Sequence, residues 1–222
     1  MSYMGIKELV SVSAVVTTIL QFLSGILVCR QYVMKQTTAE SSPLPFICGF
    51  LSCGIWLLYG LTKDDNVVIF VNSVGVVLMI SYIYLFYIYT HKKSSLTKQF
   101  LVTLLLYLAL MGYFSVETDN EILLRRVGLL ACVFTLITIA APLSKLLYVI
   151  KTKCTDCLPF PMILMSFIVS SLWYFYGLLE QDYIMMVPNS LGCGISAVQL
   201  CLFMIFPATS SCSSRASKTI LA

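Results

Sequence analysis

Four side chains set inside apolar runs have the chemistry to hold a polar, uncharged ligand: Asn72, Asn189, Trp56 and Trp173. Each amide offers donors and acceptors, which suits a ligand with many hydroxyls, and each indole offers a flat apolar face for the C–H side of a ring. Their spacing makes them a set. Trp56, Tyr59, Gly60, Leu61, Asp65, Asn72, Ser73 and Gly75 recur 117 residues later, without a gap, as Trp173, Tyr176, Gly177, Leu178, Asp182, Asn189, Ser190 and Gly192. A lone intramembrane Asn often bonds a neighbouring helix, worth about 0.6–2 kcal/mol, and Trp often lies in the interfacial belt. Duplication in register, with Pro188 directly before Asn189, favours a ligand site built from two related halves. No proline precedes Asn72, so the halves are not identical.

The elements that carry these residues must lie in a membrane. Hydrophobic residues make up 59% of the chain and charged residues 11%, against about 25% charged in a soluble domain. A span needs roughly 17–25 apolar residues. Seven stretches qualify: Leu9 to Cys29, Leu44 to Leu61, Val67 to Tyr89, Phe100 to Val116, Val127 to Ile150, Leu158 to Leu179 and Tyr183 to Pro207. The fourth is the shortest and stands outside the repeat. The expected fold is therefore an all-α membrane protein of seven transmembrane helices, two parallel three-helix bundles joined by a linker helix. Residues 9–89 form the first repeat, 100–116 the linker helix, 127–207 the second repeat and 208–222 a short cytoplasmic tail. Ten basic residues fall on one side (Arg30, Lys35, Lys92, Lys93, Lys98, Lys145, Lys151, Lys153, Arg215, Lys218) and four on the other (Lys7, Lys63, Arg125, Arg126). Cytoplasmic loops are enriched in Lys and Arg, so the N-terminus is expected outside and the C-terminus in the cytoplasm.

Loop topology accounts for the +4 net charge without a nucleic-acid partner. Glu40, Asp64, Asp65, Glu117, Asp119, Glu121, Asp156, Glu180 and Asp182 all fall in loops or at helix ends, whereas proton-driven carriers keep ionisable groups inside the membrane. His91 sits in a basic loop with no catalytic partners, Cys154 and Cys157 lack the two further ligands a zinc site wants, and no glycine loop for a nucleotide phosphate is present. The expectation is a non-enzyme without cofactor or metal. Pro45 and Pro159 each stand in a Leu-Pro-Phe tripeptide at a helix start, where proline is welcome, while Pro142 lies well inside the fifth span and permits a kink.

The run Leu44-Pro-Phe-Ile-Cys-Gly-Phe-Leu-Ser-Cys with Trp56-Leu-Leu-Tyr-Gly-Leu, together with Ala141-Pro-Leu-Ser-Lys, Leu158-Pro-Phe-Pro and Pro188-Asn-Ser-Leu-Gly, resembles the SWEET (MtN3/saliva) sugar transporters, nearest to the animal type. The resemblance implies facilitated, bidirectional uniport of mono- or disaccharides such as glucose by alternating access. It implies a pocket lined by Asn72, Asn189, Trp56 and Trp173, and an outer gate pairing Tyr59 with Asp182. It also implies an inner gate and hinge at Pro45, Pro142 and Pro159, with Gly25 at the fourth position. The family assembles as homo-oligomers in membrane lipid, at the plasma membrane or in the Golgi and other internal membranes. The related lysosomal amino-acid exporters carry Pro-Gln dipeptides, and none occurs here. The remaining alternatives are a transporter of another small solute or a non-transporting scaffold.

Overall fold

The computed structural model describes residues 3–39, 41–153, 155 and 158–206. Its regular structure there is helical, in seven elements: α1 (Tyr3–Lys35), α2 (Leu44–Lys63), α3 (Asn66–Tyr89), α4 (Lys93–Val116), α5 (Asn120–Thr152), α6 (Phe160–Leu179) and α7 (Tyr183–Ile205). All seven include a stretch long and apolar enough to cross a membrane. Cys154, Cys157, Pro207 and the tail 208–222 lie outside the described residues.

The helices outrun the apolar stretches that announced them. At 1.5 Å per residue, the 33 residues of α1 extend about 50 Å against a hydrocarbon core of about 30 Å. Lys7 and Glu8 thus ride on its first turns, and Arg30 and Lys35 on its last. The linker helix needs a correction. Expected as the shortest span, starting at Phe100, α4 begins at Lys93 and has 24 residues, more than the 20 of α2 and of α6. Hydropathy breaks at Lys98, but the backbone does not: Leu96 is buried, and an exposed lysine keeps its stem on the apolar surface while its ammonium reaches water.

The chain divides into two compact units, Thr18–Ala131 and residues 1–17 with 132–222. In the first, Cys29 and Tyr32 of α1, Phe46, Ile47 and Phe50 of α2, Tyr82, Ile83 and Phe86 of α3, and Leu96 of α4 make one core. Edge-on ring contacts such as Tyr32–Phe86 at 5.5 Å lock it. In the second, Leu146, Val149, Leu158, Ile163 and Leu202 form the core. Positions 29, 32 and 46 correspond to 146, 149 and 163 at the same 117-residue step, although the residue types differ.

Both units close their helical hairpins alike. Asp65 caps α3, accepting from the amides of Val67 and Val68 at 3.1 and 3.2 Å; Asp182 caps α7, accepting from Met185 at 3.1 Å. Asp64 and Gln181, one residue earlier, take the left-handed conformation at φ 59° and 54°. The Asp65 amide donates to the Gly60 carbonyl at 2.9 Å and the Asp182 amide to Gly177 at 2.8 Å. A Cβ on Gly60 would lie 3.1 Å from the Ile69 amide nitrogen, and one on Gly177 3.3 Å from that of Met186, so glycine lets each hairpin close without its neighbour giving way. At the other end of each unit a threonine ties the loop after the first helix to the end of the third. The Thr38 amide donates to the Tyr89 carbonyl at 3.3 Å, and the Thr155 hydroxyl donates to the Phe206 carbonyl at 2.9 Å.

α4 attaches to the first unit through a notch. The Tyr107 ring rests on Gly54, where a Cβ would stand 2.5 Å from Cε2, and meets Phe50 edge-on at 5.7 Å. The residue 117 positions after Gly54 is Ser171, whose hydroxyl lies 3.2 Å from Cys193 Sγ.

Candidate functional site

Each unit presents a copy of the same half-site. Trp56 on α2 and Asn72 on α3 stand eight residues before Asp64 and seven after Asp65, so both lie about 10–12 Å along their helices from the hairpin turn, at one depth. Trp173 and Asn189 stand at the same spacings from Gln181 and Asp182 on α6 and α7. The local geometry repeats closely. Trp56 meets the Tyr59 ring edge-on at 5.5 Å and 87°; Trp173 meets Tyr176 at 5.5 Å and 86°. Asn72 Nδ2 donates to the Val68 carbonyl at 2.9 Å; Asn189 Nδ2 donates to the Met185 carbonyl at 2.8 Å.

That back-bond uses one of the two amide protons. Among the described residues neither Asn makes another hydrogen bond, so each keeps its carbonyl oxygen and one N–H for a ligand. The four residues are partly buried, as binding groups need to be. Tyr59 and Tyr176, by contrast, are each 2% exposed, and their rings orient the indoles. Pro188 is fully buried in α7, and α3 has no proline at the matching place.

The expected gate and hinge residues receive structural roles of their own. Asp182 is 7% exposed and caps α7 as Asp65 caps α3, a pairing the sequence signals by an Asp directly before each apolar run. Gly25 is the notch for Tyr82: a Cβ there would stand 2.5 Å from Tyr82 Cε2, while the Tyr82 hydroxyl donates to the Phe22 carbonyl at 3.1 Å. The residues 117 positions on are Pro142 for Gly25 and Gln199 for Tyr82. The glycine and tyrosine of the first unit thus correspond in sequence to a proline and a glutamine in the second. Pro142 lies inside α5, its side chain outside the described part of the structure.

The two Leu-Pro-Phe tripeptides are out of register. Pro43 accepts from the amides of Phe46 and Ile47, and Pro159 accepts from those of Met162 and Ile163. Pro43 and Pro159 thus both stand at the N-cap, and Pro45 and Pro161 are each the second residue of their helix, one residue off the 117-residue step because α6 begins one residue earlier in the repeat than α2. In those first turns proline costs no hydrogen bond.

The model of a family described as sugar efflux transporters for intercellular exchange (MtN3/saliva) matches residues 8–94 and again 125–211, a step of 117 residues. Over 202 residues the chain is 40% identical to the sugar transporter SWEET1 of Drosophila pseudoobscura pseudoobscura, covering 90% of this chain and 89% of the relative. It is 34% identical over 206 residues to the sugar transporter SWEET1 of Danio rerio, covering 92% and 94%. A solved 3.7 Å structure of a eukaryotic SWEET transporter superposes with a TM-score of 0.84 at 26% identity, covering 92% of this chain and 98% of the other.

Proposed function

This chain belongs to the MtN3/saliva (SWEET) family of sugar transporters, and we propose that it is a facilitative uniporter that equilibrates mono- or disaccharides such as glucose. The observation that carries this reading is the duplicated half-site, a tyrosine-braced indole and an amide with spare hydrogen-bonding capacity at one depth. Asn72 and Asn189 bond the sugar hydroxyls, and Trp56 and Trp173 stack on its C–H faces. Every described acidic residue sits in the first turns of a helix, at a helix end or in a turn, which supports transport without a coupled proton.

Alternating access on this reading is gated outside by Tyr59 with Asp182. It is hinged inside at Pro142, where proline removes a hydrogen bond within a helix, with Pro45, Pro159 and Gly25 at the neighbouring helix positions. The protein is an integral, multi-pass membrane protein. The distribution of Lys and Arg supports an external N-terminus, and the family supports a homo-oligomer at the plasma membrane with one path per chain. No catalytic step is involved.

The test is uptake of radiolabelled glucose into proteoliposomes without an ion gradient, for wild type, Asn72→Ala and Asn189→Ala. Saturable equilibration in wild type and loss of more than about 90% in both variants is expected, since each truncation removes about 1.5 kcal/mol or more of sugar bonding. If no sugar of a mono- and disaccharide panel moves, with or without ion gradients, the transport reading fails. If sugar moves but the variants match wild type, the half-site assignment fails while the carrier reading stands.

A further inference from the structure

We propose that the first turns of α1 clasp the α6–α7 turn through Tyr3 and Lys7, and that this polar clasp must release for the carrier to open at that end. The proposal deepens the carrier reading above and rests on it. The Tyr3 hydroxyl donates to the Leu179 carbonyl at 2.6 Å, and the Lys7 ammonium lies 2.6 Å from a Glu180 carboxylate oxygen. Leu179 is the last residue of α6 and Glu180 its C-cap, so that carbonyl has no donor within the helix. A cation placed at a helix C-terminus is favoured by the helix dipole as well.

The two ends of α1 are held in different ways. α1 is one unbroken helix, yet residues 3–17 group with residues 132–222, whereas Thr18 onward groups with the first unit. Its later turns are held by apolar packing: Cys29 and Tyr32 sit in the core of the first unit, and Gly25 takes the Tyr82 ring. Its first turns are held by two polar bonds that reach the surface, with the Lys7 and Glu180 side chains 42% and 21% exposed. An exposed ion pair exchanges for water contacts at little cost, so it can break and re-form in every cycle where a packed core cannot. Two related halves that rock against each other need a contact of this kind at the end that is closed.

The clasp occurs once. At the 117-residue step the counterparts of Tyr3 and Lys7 are Asn120 and Leu124, and that of Glu180 is Lys63. Leu124 carries no charge, and Lys63 lies 3.9 Å from Asp65 in its own turn. A bond that the hairpin turn needed for its own stability would recur in both copies, as the aspartate caps do.

The experiment couples the full chain in detergent with a water-soluble carbodiimide, which joins the Lys7 amine to the Glu180 carboxyl as an amide while the reagent leaves as its urea. Glucose equilibration in proteoliposomes and hydrogen exchange are then measured. A peptide linked through Lys7 and Glu180 should form in wild type, and the coupled protein should cease to equilibrate sugar. Lys7→Arg keeps the ion pair but offers no amine to couple, so the same treatment should leave its own flux as it was. Lys7→Glu and Glu180→Lys should each speed exchange of the amides of residues 3–10 about twofold to fivefold. The two changes together restore the pair with its signs exchanged and should return the wild-type rate. If coupled wild type equilibrates sugar as fast as uncoupled, the contact is a static brace and the proposal fails while the carrier reading stands. It fails likewise if no linked peptide forms, or if exchange ignores the charge at position 7. If uncoupled wild type moves no sugar, the carrier reading falls and the gating role of the clasp falls with it.

Discussion

Replacing Gly25 with alanine separates a packing notch from a flexible hinge. A Cβ at position 25 would stand 2.5 Å from Tyr82 Cε2, where carbon atoms settle at about 3.5–4.0 Å, so the ring must withdraw by about 1 Å. Tyr82 is 3% exposed, packs on Phe46 at 5.4 Å between ring centroids, and donates to the Phe22 carbonyl at 3.1 Å. A shift of that size takes the hydrogen bond past the 3.5 Å limit, a loss of about 1 kcal/mol, and overpacking adds about 1–3 kcal/mol. Alanine returns up to about 1 kcal/mol as the better helix former. Gly25→Ala should therefore destabilise by about 1–3 kcal/mol, read by SDS titration and by thermal loss of the monodisperse peak in detergent. The cycle with Tyr82→Leu carries the argument, because once the ring is gone Gly25→Ala should become neutral or stabilising. A neutral or stabilising Gly25→Ala in the wild-type background, or a cost that persists beside Tyr82→Leu, would refute the notch.

Asparagine caps helices about as well as aspartate, and alanine does not. Asp65→Ala and Asp182→Ala should each lose about 1 kcal/mol in the same titration, while Asp65→Asn and Asp182→Asn hold stability within about 0.5 kcal/mol. In proteoliposomes, an outer gate at Asp182 predicts altered glucose flux for Asp182→Asn alone, and equal flux in both asparagine variants would leave that residue as a cap only. Thr155 spends its hydroxyl on the Phe206 carbonyl whereas Thr38 uses its backbone amide, so Thr155→Val should cost about 1 kcal/mol and Thr38→Val under about 0.5 kcal/mol. Wild-type sugar affinity should be weak, in the millimolar range near 4 kcal/mol, measured by equilibrium binding; micromolar binding would contradict a carrier that must release its cargo readily.

The span count and the half-sites were legible because apolar runs and an in-register duplication are one-dimensional signals. Helix ends were not, since hydropathy reports where side chains meet lipid, and Lys93 and Lys98 continue α4 by reaching back to water. The role of Gly25 was hidden for a different reason. A glycine in a helix reads as loosening, and the ring that needs its missing side chain is 57 residues away. The tripeptides at Pro45 and Pro159 match in letters, but the first-turn hydrogen bonds put Pro43, not Pro45, in the capping role that Pro159 has. Asp182 was the reverse case, carrying a plain local signal for a cap beside the gate role that the family resemblance implies.

The structure also sorts seven of the eight repeated residues by what the fold requires of them. Gly60 with Gly177 and Asp65 with Asp182 close the hairpins. Gly75 and Gly192 admit a neighbour on the second helix of each unit, where a Cβ would lie 2.6 Å from Cys53 Sγ and 2.8 Å from Ser170 Oγ. Leu61 and Leu178, 48% and 49% exposed, need only be apolar, and the two tyrosines brace the indoles. The amides resist such an account. A polar side chain bonding back to its own helix four residues earlier adds little to the helix and tends to bend it, so alanine or leucine would serve α3 and α7 at least as well as Asn72 and Asn189. Two copies of a residue that the bundle does not need, each holding an acceptor and a donor in reserve beside a braced indole, are best explained by something outside the chain that bonds to them. A neutral ligand bearing many hydroxyls makes that demand at both copies alike.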